Sequence, residues 1–229
     1  NKIKMKITQL TASALALALI PAATQAAWEL VADFEGSTGL DNVTFAEYPE
    51  AQTDGNGGIS LVADPTDASN QVIKLDVGTF PDMGGSSNQP SFSIPFPDIT
   101  GKGTVYMRFA KLGDILDIVW GTGSSTTVNT WYDTWLVLDI PTNTYDLWIK
   151  GGIYATATKV ATGANFRKQS TDPQNRIFAR ATTGSVTNPV GVDPVVFDNV
   201  WVDTSGENIS IPSVADPNDP LSGGSVPPN

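Results

Sequence analysis

The chain has neither histidine nor cysteine among its 229 residues. Without imidazole there is no Ser-His or Cys-His nucleophilic pair and no His-ligated zinc site, and without thiols there are no disulfide staples. Only Asp, Glu, Lys, Arg, Tyr and backbone groups remain for chemistry. Basic residues are scarce: 13 Lys and Arg stand against 24 Asp and Glu, a net charge of −11. Such a surface repels nucleic-acid phosphates and anionic membranes, so neither is an expected partner. Helical periodicity is missing as well, since from Trp28 onward no stretch of about ten residues keeps a 3.6-residue apolar repeat.

The one hydrophobic run, Leu10 to Ile20, is too short to remain as a membrane-spanning helix. It follows Lys6 and precedes Pro21 and the Thr24-Gln25-Ala26 stretch, the form of an export signal cleaved after Ala26. Residues 1–4 lie upstream of Met5, the expected start. Removing residues 1–26 takes Lys2, Lys4 and Lys6 and no acid, which leaves 10 basic against 24 acidic side chains, a net charge of −14. The mature chain is expected to be secreted, periplasmic or at the cell surface, with no membrane insertion. Residues 27–203 suffice for one sizeable core, and residues 204–229, rich in Pro, Ser and Gly, read as a linker or disordered tail.

What the chain does have is a dozen short strand-like runs divided by Gly, Pro, Asn and Asp: Trp28 to Glu35, Val43 to Tyr48, Ile59 to Ala63, Gln71 to Val77, Ser91 to Phe96, Thr104 to Ala110, Ile115 to Trp120, Trp131 to Ile140, Thr144 to Lys150, Tyr154 to Val160, Arg176 to Ala181 and Val195 to Asp203. Phe92, Ile94, Phe96 and Val105, Met107, Phe109 alternate as core strands should. These runs predict an all-β, two-sheet antiparallel β-sandwich. The segment from Trp131 to Gly151 reads as a hairpin turning at Pro141-Thr142-Asn143. One face is dry, carrying Leu136, Leu138 and Ile140 and then Tyr145, Leu147 and Ile149.

This hairpin, with Trp131, Trp135, Asp139, Trp148 and Gly151, resembles that of laminin-G-like domains in the concanavalin A-like lectin and glucanase superfamily. The resemblance implies a concanavalin A-like jelly roll and a glycan ligand. Asp33-Phe34-Glu35-Gly36 and Phe197-Asp198-Asn199-Val200 echo the opening and closing strands of jelly-roll carbohydrate-binding modules, where adjacent terminal strands often share a structural Ca2+. On that resemblance Asp33, Glu35 and Asp198 are the carboxylate ligands, oxygen donors suited to a hard cation; otherwise they are solvent-facing acids on edge strands.

Six Trp supply aromatic faces for sugar rings. Trp120, Trp148 and Tyr154, beside polar or Gly-rich turns, are the expected ligand-binding residues, and Trp131 and Trp135 are expected in the hairpin core. Laminarinase-like enzymes need a Glu-x-Asp-x-Glu strand that is missing here; Asp114 and Asp117 are spaced by three and face opposite ways on a regular strand. Trp148-Ile149-Lys150-Gly151-Gly152-Ile153-Tyr154 resembles the YFKAGxY strand of alginate lyases, which would assign Tyr154, Lys150 and Arg108 (or Arg180) to proton abstraction and carboxylate neutralisation. That family's Gln-(Ile/Val)-His segment is missing. The expectation is therefore a polysaccharide- or surface-glycan-binding module without catalysis. The alternatives are a polysaccharide lyase or glycoside hydrolase of the same fold, and a structural or adhesive surface protein. The Gly-rich runs 54–58 and 121–123 lack the helix and Lys of a phosphate loop and read as turns.

Overall fold

The computed structural model describes residues 28–36, 40–45, 59–75, 91–112, 126–166, 172–180 and 194–212. Among them are eleven strands: β1 (Glu29–Ala32), β2 (Thr44–Phe45), β3 (Ile59–Ala63), β4 (Gln71–Leu75), β5 (Ser91–Ile99), β6 (Lys102–Lys111), β7 (Trp131–Asp139), β8 (Thr144–Gly151), β9 (Tyr154–Asn165), β10 (Gln174–Arg180) and β11 (Val195–Asp203). Each corresponds to a run expected from the sequence. The twelfth, Ile115 to Trp120, lies outside the described residues, as do both Gly-rich runs, Asp114 and Asp117. No α-helix occurs among the described residues, and none of their elements is a helix able to cross a membrane.

The strands form two antiparallel sheets. The large one runs β3-β4-β11-β6-β7-β8-β9 and the small one β10-β5-β2. β11 lies at the centre of the large sheet. One edge pairs with β6, while the other is divided between β4, opposite Val195–Phe197, and β1, opposite Val200–Val202. The first and last strands are therefore neighbours. β1 is shorter than the expected run to Glu35, because Phe34 adopts φ 62°, which breaks the extended backbone and swings its ring into the core at 0% exposure.

The core lies between the sheets. Phe92, Ile94, Phe96 and Ile99 of β5 meet Ile73 and Leu75 of β4, Val105 of β6, Leu138 of β7 and Val200 and Val202 of β11, and the rings of Phe92 and Phe197 pack edge to face at 5.4 Å. Fully burying each such side chain contributes roughly 1.5–3 kcal/mol. The inner face continues as Phe109, Tyr132, Ile149, Val160 and Val195, with Tyr154 packed against them.

Two expectations are corrected here. The hairpin β7–β8 has its inner face as foreseen and Trp135 is buried, at 0% exposure, as expected, but it lies on the opposite face, which together with Val137 at 2% is therefore not open to water, while Trp131 is only half-buried. The cover includes the segment 204–212, expected as part of a tail. Asn208 donates its backbone N–H to Thr104 Oγ1, which itself donates to the Gly206 carbonyl. Trp135 Nε1 donates to the Ser210 carbonyl at 2.8 Å, and Trp28 Nε1 to Ser210 Oγ at 3.0 Å. Low hydrophobicity misled the sequence reading, because this segment is held by polar groups: Asp203 accepts from Ser205 N–H and Oγ, and Asn208 Oδ1 from Ser210 N–H and Oγ.

Candidate functional site

Directly paired residues on neighbouring strands share a face, and the register of the large sheet lines up two transverse rows on the face away from the small sheet. The first is charged: Asp198 on β11 opposes Arg108 on β6, Arg108 opposes Asp133 on β7, and Asp133 opposes Lys150 on β8. The second is aromatic, running Trp201, Tyr106, Trp135, Trp148 and then Lys159 on β9. The rows lie two residues apart along each strand on β6, β7 and β8, roughly 7 Å.

A β-bulge makes the charged row possible. Between Asp198 and Trp201, β11 carries two residues where β6 carries only Met107, and Asn199 takes φ 47°. Strict alternation would put Asp198 on the same side as Val200 and Val202, in the core. The extra residue turns it to the outer face, beside Arg108.

Asp198 is completely buried, and its Oδ2 accepts from Asn199 Nδ2 at 2.6 Å, Asn70 Nδ2 at 3.4 Å and Arg108 Nη1 at 3.4 Å. Its Oδ1 has no hydrogen-bond partner among the described residues. Burial pushes this carboxyl up to about 6, although the Arg108 guanidinium pulls it back down. Arg108 also lies 3.7 Å from Asp133 Oδ1 through Nε and stacks on the Trp131 ring at 4.8 Å. Tyr106 donates its hydroxyl to the same Asp133 oxygen at 2.7 Å, and burial together with the Asp133 charge holds that phenol protonated far above its usual range. The Trp131 indole N–H is shared between Asp64 Oδ1 (3.3 Å) and Thr66 Oγ1 (3.2 Å). Burial raises the Asp64 carboxyl, but hydrogen bonds from Thr66, Asn70 and Trp131 outweigh it and leave the acid below its ordinary value.

At the far end of the aromatic row, Lys159 stands 4.8 Å over the Trp148 ring and pairs with Asp146 at 2.7 Å. Trp148 is half-buried; its Nε1 is buried and without a partner among the described residues. Arg108 and Asp133 keep 29% and 20% of their side-chain surface exposed, and Lys150 is half-buried. The outer face can therefore offer hydrogen-bond donors and acceptors between two indoles, Trp131 and Trp148.

The residues expected from the sequence are only partly brought together. Arg108 and Lys150 share the charged row and Trp148 stands beside it. Tyr154 does not join them: it opposes Gly151 and packs on the inner face with Phe109, Tyr132 and Ile149, so the sheet separates it from Trp148, Lys150 and Arg108. Trp120 lies outside the described residues, and so does the side chain of Arg180.

The proposed calcium ligands are not gathered either. Asp33 Oδ1 accepts the Glu35 N–H, and Glu35 Oε1 accepts the Gln71 N–H, which ties the segment after β1 to the start of β4. Asp198 belongs to the interior of the sheet, not to a solvent-facing edge. Among the described residues no group of three or more acidic side chains is arranged to hold a metal ion, so these three do not fit calcium as one ligand set. Sequence reasoning missed Asp133, Tyr106, Asp64 and Asn70. The available signal was the alternation Trp131, Asp133, Trp135, which puts a carboxylate between two indoles on one face.

No protein-family model matches the chain, and no curated protein matches it. Similar solved structures include a GH131 β-glucanase catalytic domain from Podospora anserina, 11% identical over 79% of this chain and 97% of that one, with a TM-score of 0.49. The marine PL-14 alginate lyase from Aplysia kurodai is 9% identical over 79% and 99%, at 0.48. The catalytic domain of a glycoside hydrolase family 131 protein from Coprinopsis cinerea is 11% identical over 82% and 86%, at 0.39. Overlaps this loose carry nothing about what the present chain binds or does. The chain is an all-β, two-sheet antiparallel sandwich with a charged and aromatic outer face.

Proposed function

We propose that this chain is an exported glycan-binding module of the concanavalin A-like, laminin-G-like jelly-roll kind, holding saccharide on the outer face of its large sheet without chemistry. One observation carries the reading: the row Arg108, Asp133, Lys150 lies on one face between the half-buried indoles of Trp131 and Trp148. Sugar rings present C–H faces to aromatics and hydroxyls to charged side chains, and this arrangement offers both. A shallow face implies weak affinity, roughly 10 µM to 1 mM, or about −7 to −4 kcal/mol. Affinity electrophoresis through gels containing soluble polysaccharides tests it. Trp131→Ala and Trp148→Ala should each abolish retardation, while Tyr154→Ala, on the opposite face, should leave it intact. Retardation by no polysaccharide would favour a structural or adhesive role.

The lyase alternative loses its support, because Tyr154 cannot share a substrate with Lys150 and Arg108 through an intervening sheet. A rise in unsaturated-uronate absorbance on alginate, lost in Tyr154→Phe, would reinstate it.

A further inference from the structure

Resting on that reading, the geometry points to a class of ligand: a neutral polysaccharide, recognised through adjacent hydroxyls by Asp133 and Lys150 acting as a pair. These residues are directly opposite on β7 and β8. Opposite charges in that position ordinarily pair. Here they do not: among the described residues the Lys150 ammonium has no hydrogen-bond or ion-pair partner, and Asp133 commits only Oδ1, to Tyr106 and Arg108. One carboxylate oxygen and the ammonium are thus left without a partner among the described residues, at directly opposed positions on the outer face. A diol matches this pair, since one hydroxyl donates to Asp133 Oδ2 while its neighbour accepts from Lys150 Nζ.

Trp131 precedes Asp133 by two residues and Trp148 precedes Lys150 by two. Because the strands are antiparallel, the indoles flank the pair on opposite sides, each roughly 7 Å along its strand. Trp131 is held by Asp64, Thr66 and the Arg108 stack, so it offers a rigid wall.

Charge argues against an acidic ligand. Within the row Asp198 and Asp133 offset Arg108 and Lys150, Asp64 adds a further negative group beside Trp131, and the whole chain carries −11. A uronate carboxylate reaching for Lys150 would lie beside Asp133, well inside the roughly 8 Å over which charges act at physiological salt.

The test is affinity electrophoresis and titration calorimetry with hydroxyethyl-cellulose, galactomannan and xylan as neutral probes, and alginate and polygalacturonate as polyanions, from about 0.01 M to about 0.5 M salt. Expected are retardation by a neutral probe, a Kd that changes less than about twofold with salt, and a loss of about tenfold or more in Asp133→Asn and in Lys150→Gln. Lys150→Gln removes no hydrogen bond or ion pair among the described residues and keeps most of the side-chain stem, so its melting temperature should stay close to the parent's and its loss of binding reads as recognition. Retention by polyanions alone, weakening with salt, would overturn the neutral class and leave glycan binding standing. Neutral binding untouched by both variants would overturn the pair, and no retention by any probe would overturn the pair and the glycan reading together.

Discussion

Asp198 has no exposed surface, and its nearest cation, Arg108, is partly solvated. Its carboxyl is lifted from 3.8 to about 6, so between those values the folded chain holds a proton that the unfolded chain releases. This contribution to stability therefore falls as pH rises through that window. Asp198→Asn keeps the shape and removes the ionisation. Melting temperature against pH should lose its slope between about 4 and 6, and at neutral pH the variant should melt at or above the parent, because the net cost of the buried charge is gone. Arg108→Ala has the opposite sign. It leaves the buried carboxylate without its cation and should cost about 3 kcal/mol near neutrality, recovered in acid as Asp198 takes up a proton. Urea unfolding at two pH values checks both. Little of this was readable beforehand: Asp198 stood out as a carboxylate near the end of the chain, but its partners, Arg108, Asn70 and Asn199, come from three different strands and turns.

At the scale of elements, the turn joining β8 to β9 shows how tightly the hairpin sits on its neighbour. Gly151 has φ 132° and Gly152 φ 56°. A Cβ at Gly151 would run into the Trp131 carbonyl, and one at Gly152 into the Tyr132 hydroxyl. That hydroxyl also accepts the Thr127 N–H, so it has little room to move. Gly151→Ala should destabilise by about 2 kcal/mol or more, from left-handed strain plus a backbone collision, measured as a lowered urea midpoint with unchanged slope. The segment 204–212 makes a second prediction. A chain ending at Asp203 loses the acceptors for Trp135 and Trp28 and uncovers the aromatic row. Its tryptophan emission should shift to the red and its melting temperature should fall, since an exposed indole regains water that the parent excludes.

For the whole molecule, a chain with no α-helix among its described residues should give a far-ultraviolet circular dichroism spectrum dominated by strand, with helix far below the usual third. A helix-dominated spectrum would remove the sandwich and every face assignment built on it. The absence of cysteine means that no disulfide cross-links the two sheets. Reductant should leave the unfolding midpoint unchanged, and stability should follow burial between the sheets, so Phe92→Ala should cost about 3–5 kcal/mol.

The sequence by itself determined the element types and the inner face of the hairpin, because alternation of large apolar residues is local and survives any tertiary context: Phe92, Ile94 and Phe96, or Leu136, Leu138 and Ile140, could bury only one side of a strand. It also determined, through the missing His and Cys, which chemistries were closed. Only the tertiary structure decided the outer face. The bulge at Asn199 reversed the side on which Asp198 lies, the register of four strands aligned Asp198, Arg108, Asp133 and Lys150, and polar turns held residues 204–212 over Trp135. Each depends on which strand lies next to which, and pairing between residues about 90 apart in sequence, as for Arg108 and Asp198, leaves no periodic trace within either strand.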